Sequence, residues 1–145
     1  MNPVSTIGYQ GKTIEIVIEE LEAARIQLLA DVRRLPLSRK PGFSKTALAK
    51  RLEMAGIAYR HYPDLGMPRD LLRLRNDRDN APILHQYEAL LPELHEHVDD
   101  LTALARSERV CLLCFEADPA QCHRSVLANY IHARSGIAVR HLWAK

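Results

Sequence analysis

Hydrophobic and polar positions follow two different periods along this chain, and the switches between them mark out its elements. Val4-Ser5-Thr6-Ile7 is short and β-branched, as strands are, and Gly8 to Gly11 follow as a turn. Ile14, Val17, Ile18 and Leu21 then recur at helical spacing, with Glu15, Glu19, Glu20 and Glu22 on the wet side and Thr13 placed to cap. Leu28 to Val32 predicts a second strand. After a Pro- and Arg-rich loop running to Phe43, Ser44 stands as a cap for a helix that turns Leu48, Leu52 and Ala55 inward and stops at Gly56.

Ile57 to Tyr62 predicts a third strand, ended by Pro63. Pro63, Pro68 and Pro82 punctuate the next stretch, which has room for at most one helical turn around Leu71 to Arg75 and reads as a lid or a binding loop. Leu84, Tyr87, Leu91, Leu94, Val98, Leu101 and Ala105 make a stripe that keeps its phase across Pro92, so a kink or two collinear helices packed on the sheet are expected. Val110 to Phe115 is six apolar residues in a row, the pattern of a strand covered on both faces. A last helix from near Asp118 to about Arg134 and a closing strand over Val139 to Trp143 complete the chain. Strands alternating with helices around one wholly apolar strand predict a Rossmann-like α/β fold. The expected form is a three-layer sandwich with a mostly parallel five-stranded sheet, in a single domain over residues 1–145.

Composition narrows the class. At 47% apolar and 26% charged, the 145 residues can bury one core and do not read as disordered. The longest apolar runs are far shorter than a membrane span, and no basic segment leading into an apolar stretch opens the chain. Three cysteines outside any disulfide framework suit a reducing, cytoplasmic setting. The net charge of +2 is unevenly spread: seven basic and no acidic residues lie between Arg33 and Arg51, while acids gather at Glu15 to Glu22 and Glu93 to Asp100. Such a segment is either an anion-facing surface or a solvated face; Lys45, Lys50 and Arg51 are expected to point outward.

In a parallel sheet the loops after the strands share one edge, where ligands bind. That edge is expected to collect Tyr9 and Gln10, then Asp31, Arg33, Arg39 and Phe43, then His61, and lastly Cys114 and Glu116. Asp118-Pro119 with Gln121 resembles a capping box, which puts Cys122, His123, Arg124 and Ser125 in the first turns of the last helix. Free N–H groups and the helix dipole favour an anion there, and Arg124 offers a bidentate fork. The same field makes a Cys122 thiolate feasible. Against this, Cys122 shares a helical stripe with Val126, Leu127, Tyr130 and Ile131, and the stripe favours a small core residue over a nucleophile or ligand. His123 reads as structural or as an acid–base group. Glu116 reads as an ion-pair partner of Arg124 or Arg33, or as a general acid or base. A metal reading would use Cys114, Glu116, Cys122 and His123; the count suits zinc, but adjacent Cys122 and His123 make an awkward bite and no Cys-x-x-Cys spacing exists, so no metal or cofactor is expected. The known phosphate loops, Gly-x-x-x-x-Gly-Lys and Gly-x-Gly-x-x-Gly, are absent.

Thr6-Ile7-Gly8-Tyr9, Asp31-Val32-Arg33 with Pro36 and Ser38-Arg39, Pro41-Gly42-Phe43, and Glu116 with Cys122-His123-Arg124-Ser125 occur in one order over nearly the whole chain. Together they resemble the bacterial and archaeal family called domain of unknown function 488. The resemblance implies a cytosolic Rossmann-like fold and a site built from these motifs, and it implies no particular reaction. Gln10 departs from it, standing where a small residue such as serine is expected.

The functional expectation is a strand-end anion site for a phosphate-bearing ligand, a nucleotide or nucleic acid. Cys122, His123 and Glu116 are its candidate catalytic groups, and Tyr9, Asp31, Arg33, Arg39, Phe43, Arg124 and Ser125 its binding groups. The rivals are a non-catalytic module that grips nucleic acid or an acidic protein, and a metal or redox-thiol protein. No membrane partner is expected, and the sequence leaves the oligomeric state open.

Overall fold

A computed structural model of the chain describes residues 2–76 and 78–143. Five strands, β1 (Val4–Gly8), β2 (Leu28–Asp31), β3 (Ala58–His61), β4 (Val110–Cys114) and β5 (Val139–His141), form one parallel sheet in the order β3-β2-β4-β1-β5. The helices are α1 (Ile14–Ala23), α2 (Lys45–Met54), the short α3 (Arg69–Leu72), α4 (Ala81–Leu90), α5 (His95–Ser107) and α6 (His123–Ser135). The Rossmann-like α/β expectation holds, with every strand pair parallel.

Alternation along the strands builds two cores. Leu28, Ala30, Val110, Leu112 and Cys114 face a cluster made with Tyr87, Leu91, Val98, Leu101, Leu127 and Ile131 from α4 to α6. Ile7, Leu29, Cys111 and Leu113 face the opposite cluster, with Val17 and Leu21 of α1 and Leu48 and Leu52 of α2. All five residues of β4 are buried, as a strand covered on both faces requires. Among the described residues, no helix is long and apolar enough to cross a membrane.

The helix ends hold two surprises. Thr13 caps α1 as expected, its side chain accepting from the N–H of Ile16 at 3.2 Å. Ser44 stands at the start of α2 but makes no cap bond, because its hydroxyl donates to the Ser38 carbonyl and accepts the Ser38 N–H within the preceding loop. The stripe across Pro92 resolves into α4 and α5 joined by a 3-10 turn over Leu91–Leu94, and it packs on the sheet. The last helix begins later than the capping-box pattern suggests. Asp118 caps only a 3-10 turn (Pro119–Gln121), and α6 starts at His123 with Cys122, in extended conformation, at its N-cap. The side-chain oxygen of Gln121, instead of reaching back to the cap, accepts the N–H of Asn80 at 2.9 Å.

Candidate active site at the carboxyl edge of the sheet

The chain leaves β1 and β2 toward α1 and α2, but leaves β4 toward α6 on the other face. Neighbouring strands whose loops part in this way open a crevice beyond their carboxyl ends. A cavity of about 390 Å³ lies there, lined by Tyr9 after β1, Arg33 and Arg34 after β2, Cys114 ending β4 and Phe115 after it, and His123 from α6. Leu35, Leu37, Met67 and Leu72 supply apolar walls, and Arg75 closes one side.

Asp31 and Arg33 belong to the frame of this crevice. Asp31 is fully buried and accepts four hydrogen bonds: from the Arg33 backbone N–H at 3.1 Å, Arg33 Nε at 2.9 Å, Arg33 Nη2 at 2.8 Å and the Tyr59 hydroxyl at 2.6 Å. Arg33 Nη1 donates to the Phe43 carbonyl at 2.7 Å and the Tyr9 hydroxyl at 3.3 Å. Most of the guanidinium's donors therefore tie a basic loop to the sheet. Phe43 is sealed beneath Tyr9, the rings stacked at 4.4 Å and 11°, so its ring presents no face to a ligand. Arg39 is exposed and lies outside the cavity lining.

At the end of β4, Cys114, Cys122 and His123 converge. His123 Nε2 bonds the Val32 carbonyl at 2.7 Å, which places the ring N–H there and leaves the Nδ1 lone pair toward Cys114 Sγ at 3.5 Å. Burial resists a thiolate at Cys122, but its side-chain contacts with Cys114 and His123 and the charge of Arg124 pull its pKa below the ordinary thiol range. The bond to Cys122 and burial together push Cys114 up. The awkward bite foreseen for adjacent Cys122 and His123 does not arise, because an extended N-cap followed by a first helical residue turns both side chains to one point.

Arg124 and Ser125 are placed behind this cluster, not in the cavity. Arg124 is fully buried; it donates to the carbonyls of Glu116 at 2.6 Å and Ala117 at 3.4 Å, and no described carboxylate pairs with it. The expected ion pair with Glu116 is thus a bond to that residue's backbone. Gly8 makes the approach feasible, since a Cβ there would collide with the Glu116 carbonyl and lie 2.9 Å from Arg124 Nη1. Gln10 holds the same loop, its side-chain oxygen accepting the Ala117 N–H at 3.0 Å.

The Glu116 carboxylate turns instead to Arg75, at 3.1 Å, whose guanidinium also lies 5.4 Å over the Phe115 ring. Burial, with Cys122 nearby, outweighs Arg75 and raises the Glu116 carboxyl to about 7. A second, more polar recess of about 480 Å³ opens beside it between Gln10, Asn76, Glu116 and Asp118. The long loop before α4 is docked over this edge by Asn80 on Gln121 and by the Tyr87 hydroxyl on the Leu65 carbonyl at 2.6 Å.

Arg34 and Arg75 line the cavity but are not among the binding groups expected from the sequence, and Cys114 enters that expectation only as a strand-end residue and in the metal reading. Arg34 donates to the Met67 and Gly66 carbonyls, at 3.0 and 3.1 Å, and has no described carboxylate partner. The available signals are Cys114 at the last position of an apolar strand, Arg34 in the basic stretch after β2 and Arg75 inside a loop too long for a plain connection.

No curated protein and no solved structure matches the chain. The family model described as Domain of unknown function DUF488 matches residues 13–131, from the cap of α1 to Ile131 of α6, and the chain belongs to that family.

Proposed function

We propose that this protein binds a phosphate-bearing small molecule of about nucleotide size in the crevice beyond β1, β2 and β4. The observation that carries this reading is the lining: three arginines, two aromatic rings and, among the described residues, no acidic side chain around about 390 Å³, within the size range of small-ligand pockets. Arg33 and Arg75 each have a carboxylate partner; among the described residues Arg34 meets only carbonyls, and it supplies the free charge for the anion. Tyr9 and Phe115 flank the apolar part, edge to face at 5.4 Å. Cys114 and His123 form the floor, so any turnover would fall to them. A crevice of this volume suits one small ligand better than a nucleic-acid strand, and the exposed Lys45 and Lys50 lie on α2, outside its lining.

A thermal-shift panel of inorganic phosphate, sulfate, mononucleotides and a short oligonucleotide tests this. A ligand at a hundredfold excess over its dissociation constant stabilises by about 3 kcal/mol, or several degrees in a chain of this size. The shift is expected with phosphate or a mononucleotide, to vanish in Arg34→Ala and to survive in Arg39→Ala. A panel with no shift in the wild-type protein, or a shift lost equally in both variants, overturns the reading.

A further inference from the structure

The donor set at the crevice floor goes beyond anion binding. We propose that Cys114, Cys122 and His123 form a binding site for one zinc ion, with its fourth coordination position facing the crevice.

The sulfurs of both cysteines and a ring nitrogen of His123 all lie within 4.8 Å of one another, and all three residues are buried. In a tetrahedral zinc site with ordinary Zn–S and Zn–N bonds, a sulfur and a nitrogen ligand stand about 3.6 Å apart. Cys114 Sγ and His123 Nδ1 stand at 3.5 Å. The imidazole is also oriented as metal-binding histidines are. Its Nε2–H is engaged by a backbone carbonyl, that of Val32 at 2.7 Å, which leaves the Nδ1 pair for the ion. Neither geometry needs a side chain to move from the position already described.

The charges balance. Each cysteine that enters as a thiol gives up its proton to solvent as the Zn–S bond forms, and His123 donates as neutral imidazole. Two thiolates cancel the charge of a zinc dication, so the buried site holds no net charge, and soft thiolate donors select zinc over magnesium or calcium. Nothing is oxidised or reduced. Cys114 and His123 border the crevice, whereas Cys122 is fully buried and approaches from the α6 side. Three protein ligands with one open position is the arrangement of catalytic zinc sites, and here the open position faces the space where the phosphate-bearing ligand is proposed to sit. The third cysteine, Cys111, faces the opposite core and takes no part.

The test is a cobalt and zinc titration of the full chain, stripped of metal by chelator under reducing conditions. The wild-type protein is expected to bind one equivalent of cobalt with a thiolate-to-cobalt charge-transfer band and the strong visible bands of a tetrahedral site, and zinc is expected to displace it. Cys114→Ser and His123→Gln are each expected to weaken zinc binding by more than the roughly hundredfold that losing an outer-shell partner costs. Cys111→Ser should match the wild type. A wild-type titration without the thiolate band overturns the proposal and depends on no variant folding; so does a Cys111→Ser protein that loses the band as fully as Cys114→Ser. Because the phosphate and nucleotide shifts are read in metal-free protein, the two proposals fail separately.

Discussion

Asp31 and Arg33, two residues apart at the end of β2, face each other through a bidentate pair with Nε–Oδ1 at 2.9 Å and Nη2–Oδ2 at 2.8 Å, almost wholly out of water. A buried pair of this kind adds little beyond what a well-packed apolar substitute would, but breaking one side strands the other charge. Asp31→Ala is therefore expected to destabilise the fold by about 3–5 kcal/mol, read as a fall in the urea midpoint. A loss below about 1 kcal/mol would mean that Arg33 finds another anion or reaches solvent.

Gly8 bears on the same edge. A methyl group there meets the Glu116 carbonyl, which is backbone and cannot swing aside. Gly8→Ala should cost about 1–3 kcal/mol through forced displacement of the loop between β4 and α6. It should also loosen the Arg124 bonds to Glu116 and Ala117, visible as faster amide exchange in the first turn of α6.

Glu116 makes stability depend on pH with a definite sign. Its carboxyl is raised from 4.5 to about 7 by burial, so between those values the folded chain holds a proton that the unfolded chain has released. Its contribution is fully present below the lower value and is lost as pH rises through the upper one. In metal-free protein the stability difference between wild type and Glu116→Gln should change by on the order of 3 kcal/mol from about pH 4 to pH 8. Urea melts of the two proteins at both ends check this; parallel curves would refute it.

Tyr87 anchors the loop before α4, its fully buried hydroxyl donating to the Leu65 carbonyl at 2.6 Å. Tyr87→Phe leaves that carbonyl unmatched and should cost about 1–3 kcal/mol. The loss should appear with increased proteolysis between residues 63 and 80, because α4 is otherwise held by its apolar face.

What the chain settles by itself is the order and type of its elements. Helical spacing in α1 and the wholly apolar β4 are local patterns, and each is read from neighbouring residues without knowing where the strand will lie. The convergence of Tyr9, Arg33, Cys114, Phe115 and His123 at one edge follows as well, since a parallel sheet collects its strand ends on one side. Which group faces which was left to the tertiary structure. Sequence spacing cannot tell that Arg33 is consumed by Asp31 while Arg34 is held by carbonyls, that Glu116 turns to Arg75 while Arg124 takes its carbonyl, or that an extended Cys122 joins His123 and Cys114. The physical reason is that a side chain's partner depends on crossings between segments tens of residues apart, and on the backbone angles of single residues at their ends.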